Sequence, residues 1–277
     1  MLPARIFLSY LESIAMPESV PPNIVWIYCD ELRTDALACY GNSRMDLHTP
    51  NLDRLAERGV RFSNHFCNSP VCVSSRVCTL TGLHCEETGV YNNEGAWENF
   101  QLPRRVETFP RVFSSNGYRT ANFGKLHVAR GMYPGEDPEL QVFDHHEREG
   151  GTMGIWQHLG EEAVGMIRSP AGGMHGGVFP DDEPYPPDQV AGNAIEWMRE
   201  EDGPYFVRVS LLQPHTPVLP PERFVRLYED QDPGLPDELP GTMSDFEKRV
   251  AQVHGLDRMA PEDLKAARLH YYAQVAW

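Results

Sequence analysis

The stretch Asn23-Ile24-Val25-Trp26-Ile27-Tyr28-Cys29-Asp30-Glu31 decides the fold. Its first seven residues are mainly β-branched or aromatic and lack polar alternation, the pattern of a strand buried on both faces of a parallel sheet. The run stops at two acids. Two more strand signals end in polar groups: residues 119–123 lead into Gly124-Lys125-Leu126-His127, and the buried run 205–212 leads into Gln213-Pro214-His215. Helix signals fall between them. Thr49 and Pro50 open a segment with Leu52, Leu55 and Ala56 on one stripe, closed by Gly59. Residues 108–115 end before Gly117, and residues 188–200 put Val190, Ala194, Ile195 and Trp197 or Met198 on one face. Strands alternating with helices predict an α/β fold with a mostly parallel sheet flanked by helices. In such sheets ligands bind beyond the carboxyl ends of the strands, so Asp30, Lys125 and His215 are expected to converge.

Composition narrows the function. The 277 residues are 41% hydrophobic and 23% charged, and the mean hydropathy is −0.45, as in folded globular proteins. A formal charge of −16 opposes binding to nucleic acid or to an anionic membrane. An anionic substrate therefore needs a local positive pocket. The cysteines, at 29, 39, 67, 72, 78 and 85, leave the rest of the chain without a partner for a disulfide framework. With no long apolar leader, the expected location is cytoplasmic, and residues 1–22 read as an N-terminal tail. Residues 130–187, rich in Gly, Pro, Met and acids, read as a loop-rich excursion over the sheet, and 76–80 as the opening of another helix. His145-His146 and Asp181-Asp182-Glu183 read as surface features.

The chemistry centres on Ser69-Pro70-Val71-Cys72-Val73-Ser74-Ser75-Arg76-Val77-Cys78-Thr79-Leu80-Thr81-Gly82. A thiol at a helix N-terminus four residues before an arginine sits where dipole and guanidinium both favour an anion. A buried structural cysteine fits the same spacing, and both readings stay open on the residues alone.

The stretch resembles the sulfatase signature Cys-x-Pro-Ser-Arg followed by Thr-Gly. Further matches are Asp30-Glu31, Cys39-Tyr40-Gly41-Asn42, Thr49-Pro50-Asn51-Leu52-Asp53, Gly124-Lys125-Leu126-His127 and Pro214-His215-Thr216-Pro217. The resemblance implies an alkaline-phosphatase-like fold and a sulfuric ester hydrolase acting on a small-molecule or saccharide sulfate ester. It implies that formylglycine-generating machinery oxidises Cys72, whose product is nucleophile and metal ligand, and that Asp30 and Glu31 add oxygen ligands to Ca²⁺ or Mg²⁺. Arg76 is implied to hold the alkoxide, Lys125 and His127 the sulfate oxygens, and His215 to protonate the leaving group. Members of this family continue past a helix like 262–277 into further strands. Residues 23–277 are accordingly expected to be the N-terminal part of a catalytic domain, truncated at its C-terminus. The alternatives are a phosphonate or phosphate ester hydrolase of the same superfamily, and a truncated inactive product.

Ser74 stands where the signature has proline. Peptide mass spectrometry after co-expression with a formylglycine-generating enzyme is expected to find the aldehyde at residue 72 and at none of the other five cysteines. An intact Cys72 thiol together with full hydrolase activity contradicts the nucleophile assignment.

Overall fold

The computed structural model describes residues 20–96, 102, 106–148, 156–235 and 244–277. Strand β1 (Ile24–Cys29) is followed by helix α1 (Pro50–Arg58), α2 (Cys72–Thr81) and α3 (Phe109–Ser115). Then come β2 (Arg119–Gly124), β3 (His145–Glu147), a hairpin of β4 (Ile167–Arg168) and β5 (Met174–Gly176), α4 (Pro186–Glu200) and β6 (Tyr205–Leu211). Helices α5 (Asp245–His254) and α6 (Pro261–Ala276) close the series. The main sheet has the order β1-β6-β2-β3 and is parallel throughout. Among the described residues no helix is long and apolar enough to cross a membrane.

Strand β6 is the hub. Phe206 points to one face and packs against Trp26, Phe109, Phe113 and Phe143, its ring stacked on Phe113 at 5.1 Å between centroids. On the other face Val207 and Val209 join Ala121 and Phe123 under Val190 and Ala194 of α4. Alternate side chains of one strand thus feed two cores.

Several expectations are corrected. Among the described residues β1 lies at the edge of the sheet, with Val25 and Ile27 48% and 57% exposed. Both pair in register with Val207 and Val209, yet α4 covers only β2 and β6. Helix α2 opens at Cys72 rather than at Arg76. The 130–187 segment also builds core: β3 extends the main sheet, Met132 and Phe143 are buried in the cluster that contains Phe206, and Phe179 is buried in a separate cluster with Val164, Tyr185 and Leu219. The stripe on α1 buries none of its residues, and Ile195 on α4 is exposed. In α6 the buried side chains are His270, Tyr272, Ala273 and Gln274. Gln274 is buried at no polar cost because its amide bridges Tyr185 Oη and the Leu219 N–H. His146 turns inward and hydrogen-bonds Asn122, whereas His145 is exposed. The residues at 1–19 read as tail lie outside the described residues.

Because Phe206 touches four aromatic rings at the sheet centre, Phe206→Ala is expected to cost about 3–5 kcal/mol of stability. Urea unfolding followed by tryptophan fluorescence checks this, and a loss below about 1 kcal/mol contradicts the hub assignment.

Candidate active site

The parallel register delivers the first two residues. The Asp30 N–H donates to Leu211 O (3.2 Å) just past β1, and the Lys125 N–H donates to Ser210 O (2.9 Å) just past β2. Asp30 and Lys125 therefore flank the end of β6 on successive carbonyls. The turn into Lys125 requires glycine: Gly124 has φ +88°, and a Cβ there would lie 2.3 Å from Ser210 O. The Lys125 ammonium reaches across and ion-pairs with the Asp30 carboxylate.

Helix α2 brings the next two. Cys72 is its first residue, and Asn93 Oδ1 accepts from the Val73 N–H (3.1 Å), satisfying one of the free donors of the helix start. Cys72 Sγ lies 3.7 and 3.8 Å from the two Asp30 oxygens and 3.8 Å from Lys125 Nζ. One turn on, Arg76 is 1% exposed. Its Nη1 donates to Lys125 O (2.8 Å) and Ser210 Oγ (2.9 Å), its Nη2 is 3.5 Å from Asp30 Oδ2, and its plane lies over the Tyr28 ring. Gly82, at φ +69°, ends the helix with its N–H on Cys78 O.

His127 and His215 complete the group: both rings favour the ionised form of Cys72, and a His215 ring nitrogen lies within 4.8 Å of its Sγ. Among the described residues, His127 and Glu31 are the two non-glycine residues with positive φ (41° and 61°), a conformation that side chains adopt at a cost of about 1 kcal/mol or more. His215 follows β6, with Nδ1 on Thr216 O (2.5 Å) and Nε2 3.3 Å from Glu31 Oε1. The Glu31 carbonyl in turn accepts from Tyr271 Oη (2.7 Å), tying helix α6 to the site.

Charge follows geometry. Burial pushes the Asp30 carboxyl up, but Lys125 and Arg76 outweigh it and hold the group below its usual range. Hydrogen bonds from His127 and His215 bring the Cys72 thiol down to about 6. The bond to Cys72 raises His215, against burial and with help from Glu31. Cys29, one residue before Asp30, goes the other way: burial pushes it up to about 11. All six cysteines are free thiols.

The structure thus brings Asp30, Cys72, Arg76, Lys125, His127 and His215 together. Glu31 stands apart from the Cys72 sulfur, its carboxylate turned to His215. Asp30, Cys72 and His215 offer an oxygen, a sulfur and a nitrogen within 4.8 Å of one another, the group among the described residues that could hold a metal ion. A hard cation prefers oxygen, so Asp30 fits it, and residue 72 fits it once an oxygen replaces Sγ; they make part of a shell of six or more. Sequence reasoning missed Arg208, Ser210, Tyr28 and Asn93. For Arg208 there was a signal: a cation in the middle of an apolar strand run.

The sulfatase family model matches residues 22–273. The chain is 27% identical to an arylsulfatase of Clostridium perfringens (strain 13 / Type A), covering 92% of this chain and 56% of that protein. It is 29% identical to the N-acetylglucosamine-6-O-sulfatase of Bacteroides thetaiotaomicron, covering 79% of this chain and 36% of that protein. Among solved structures, the phosphonate monoester hydrolase of Agrobacterium radiobacter superposes with a TM-score of 0.64 at 26% identity, over 92% of this chain and 56% of the other. The chain spans about half or less of the length of these relatives.

With its thiol held down to about 6, Cys72 is ionised above that pH and protonated below it. Iodoacetamide should therefore alkylate Cys72 with a rate midpoint near pH 6, whereas Cys29, Cys39, Cys78 and Cys85, all raised, react only in alkaline solution. His127→Ala should move the Cys72 midpoint upward. Peptide-resolved mass spectrometry reads each site, and a Cys72 midpoint at the ordinary value of about 8.5 contradicts the assignment.

Proposed function

The chain belongs to the sulfatase family, and on that premise we propose that this site hydrolyses sulfate esters with residue 72, oxidised to formylglycine, as the nucleophile. The observation that carries the reading is the convergence on Cys72 of two histidines, a lysine and an aspartate from three strand ends. Lys125 and His127 would bind the non-bridging oxygens, offsetting the negative charge of the ester within a chain that is acidic overall. Arg76, buried one helical turn from residue 72, holds the Lys125 carbonyl and one Asp30 oxygen, and so keeps the cationic wall in place.

His215 is the proton donor to the departing alkoxide. Its ring is oriented by Thr216 O on Nδ1, which leaves Nε2 to face the reacting centre and Glu31, whose carboxylate favours the protonated ring. Asp30 and the oxygen of modified residue 72 would hold a divalent cation, Ca²⁺ or Mg²⁺, which polarises the ester oxygens. Glu31 supports His215 from its side chain, a role distinct from metal ligation. We propose a small-molecule or saccharide sulfate ester as substrate, in line with the saccharide specificity that one relative's name carries.

A second reading is favoured by one observation, the likeness to a phosphonate monoester hydrolase. Sulfate and phosphonate monoesters are both tetrahedral monoanions that the same cations would hold.

The test compares 4-nitrophenyl sulfate with an aryl phosphonate monoester, using protein in which mass spectrometry finds formylglycine at residue 72. The sulfate ester should have the higher kcat/KM, chelation should reduce it, and Lys125→Ala should lower it by about 10²–10³-fold. Higher kcat/KM for the phosphonate selects the second reading. No turnover of either ester contradicts hydrolase activity for this chain.

A further inference from the structure

Arg208 lies in the middle of β6, fully buried, and no carboxylate pairs with it among the described residues. Burial, with Arg76 nearby, disfavours its charged form. What surrounds it instead is a box of rings, with Trp26, Tyr28 and Phe143 centroids 5.4, 5.6 and 5.3 Å from Cζ. The strand around it reads Tyr-Phe-Val-Arg-Val-Ser-Leu, so an apolar side chain would fill the same volume without the desolvation cost of a guanidinium.

Its hydrogen bonds point to one place. Arg208 Nε donates to Asn122 Oδ1 (2.5 Å), and Asn122 Nδ2 donates to Gly124 O (3.1 Å). Arg208 Nη2 donates to Lys125 O (3.3 Å), the carbonyl that Arg76 Nη1 also holds. Both carbonyls of the Gly124-Lys125 turn are therefore fixed from below, Gly124 through Asn122 and Lys125 directly. That turn has φ +88° at Gly124, and its geometry sets where the ammonium emerges.

We infer that Arg208 is a positioning residue for Lys125: with Asn122 it clamps the Gly124-Lys125 turn so that the ammonium is delivered beside Asp30 and Cys72. The clamp itself is a matter of main-chain geometry; its effect on anion binding rests on the reading of Lys125 given above. A side chain that merely filled the aromatic box would leave Lys125 in place when replaced by another of equal volume.

The chain has three lysines, Lys125, Lys248 and Lys265, so protein carrying ¹³Cε-lysine gives a spectrum in which Lys125 is readily assigned by a Lys125→Arg variant. Arg208→Met, which keeps length and apolar contact, should displace the Lys125 resonance and leave Lys248 and Lys265 where they are. Inorganic sulfate, titrated into the same samples, should bind about tenfold more weakly to the variant, the magnitude of a lost hydrogen bond. Arg208→Lys retains one donor toward Lys125 O and should recover part of both effects; it also serves should the methionine variant fail to fold. A Lys125 resonance at the wild-type position in a folded Arg208 variant overturns the inference. A Lys125 resonance displaced by Arg208→Met but unmoved by sulfate in the wild type upholds the clamp and overturns the anion-binding reading instead.

Discussion

The site depends on a buried ion pair between strands that never touch. Asp30 and Lys125 follow β1 and β2, which sit on opposite sides of β6, and each is anchored by its N–H to a neighbouring carbonyl of that strand. Their charges meet over the end of β6 because the parallel register places them one residue apart across it. A one-residue slip of either strand would send its side chain to the other face.

Such a pair is expensive to assemble, and the surroundings answer that cost. Asp30 and Arg76 are both buried, and removing one partner of a buried pair typically costs about 3–5 kcal/mol because the other charge is stranded. Lys125 and Arg76 outnumber the single Asp30 carboxylate, and the excess positive charge faces residue 72. The low thiol pKa of Cys72 has the same origin, since donors from His127 and His215 await negative charge at that point. The positive φ of Glu31 and His127 marks where the backbone bends to bring these groups in. Helix α2 contributes by where it begins: its open start faces the cluster at Cys72, and its next turn supplies Arg76.

Much of this could be read in the sequence because its signals are local. An apolar run that stops at Asp30, a strand signal that stops at Gly124-Lys125 and a second apolar run before His215 specify strands with polar ends, and the sheet rule joins them. Cys72 and Arg76 share a helix, so four residues of spacing suffice to place them together. What could not be read was long-range. An apolar run looks the same at the edge of a sheet as at its centre, so the exposure of Val25 and Ile27 depended on how far α4 reaches. Residues 130–187 carry weak periodicity because their buried residues are set by plugging gaps, not by repeating along an element. Glu31 and Asp30 are neighbours in sequence, yet the φ of 61° at Glu31 turns its carboxylate to His215. The Arg208 partners Asn122 and Lys125 lie more than eighty residues away, and no spacing rule reaches that far.

The proposed function requires Asp30, Arg76, Lys125, His127, His215 and residue 72 to form one anion site. A crystal structure grown with calcium and sulfate tests it most directly. Sulfate is expected within hydrogen-bond reach of Lys125 Nζ and of the His127 or His215 ring, with calcium against Asp30. Sulfate bound elsewhere, with Cys72 and Asp30 on separate faces of the sheet, would contradict it.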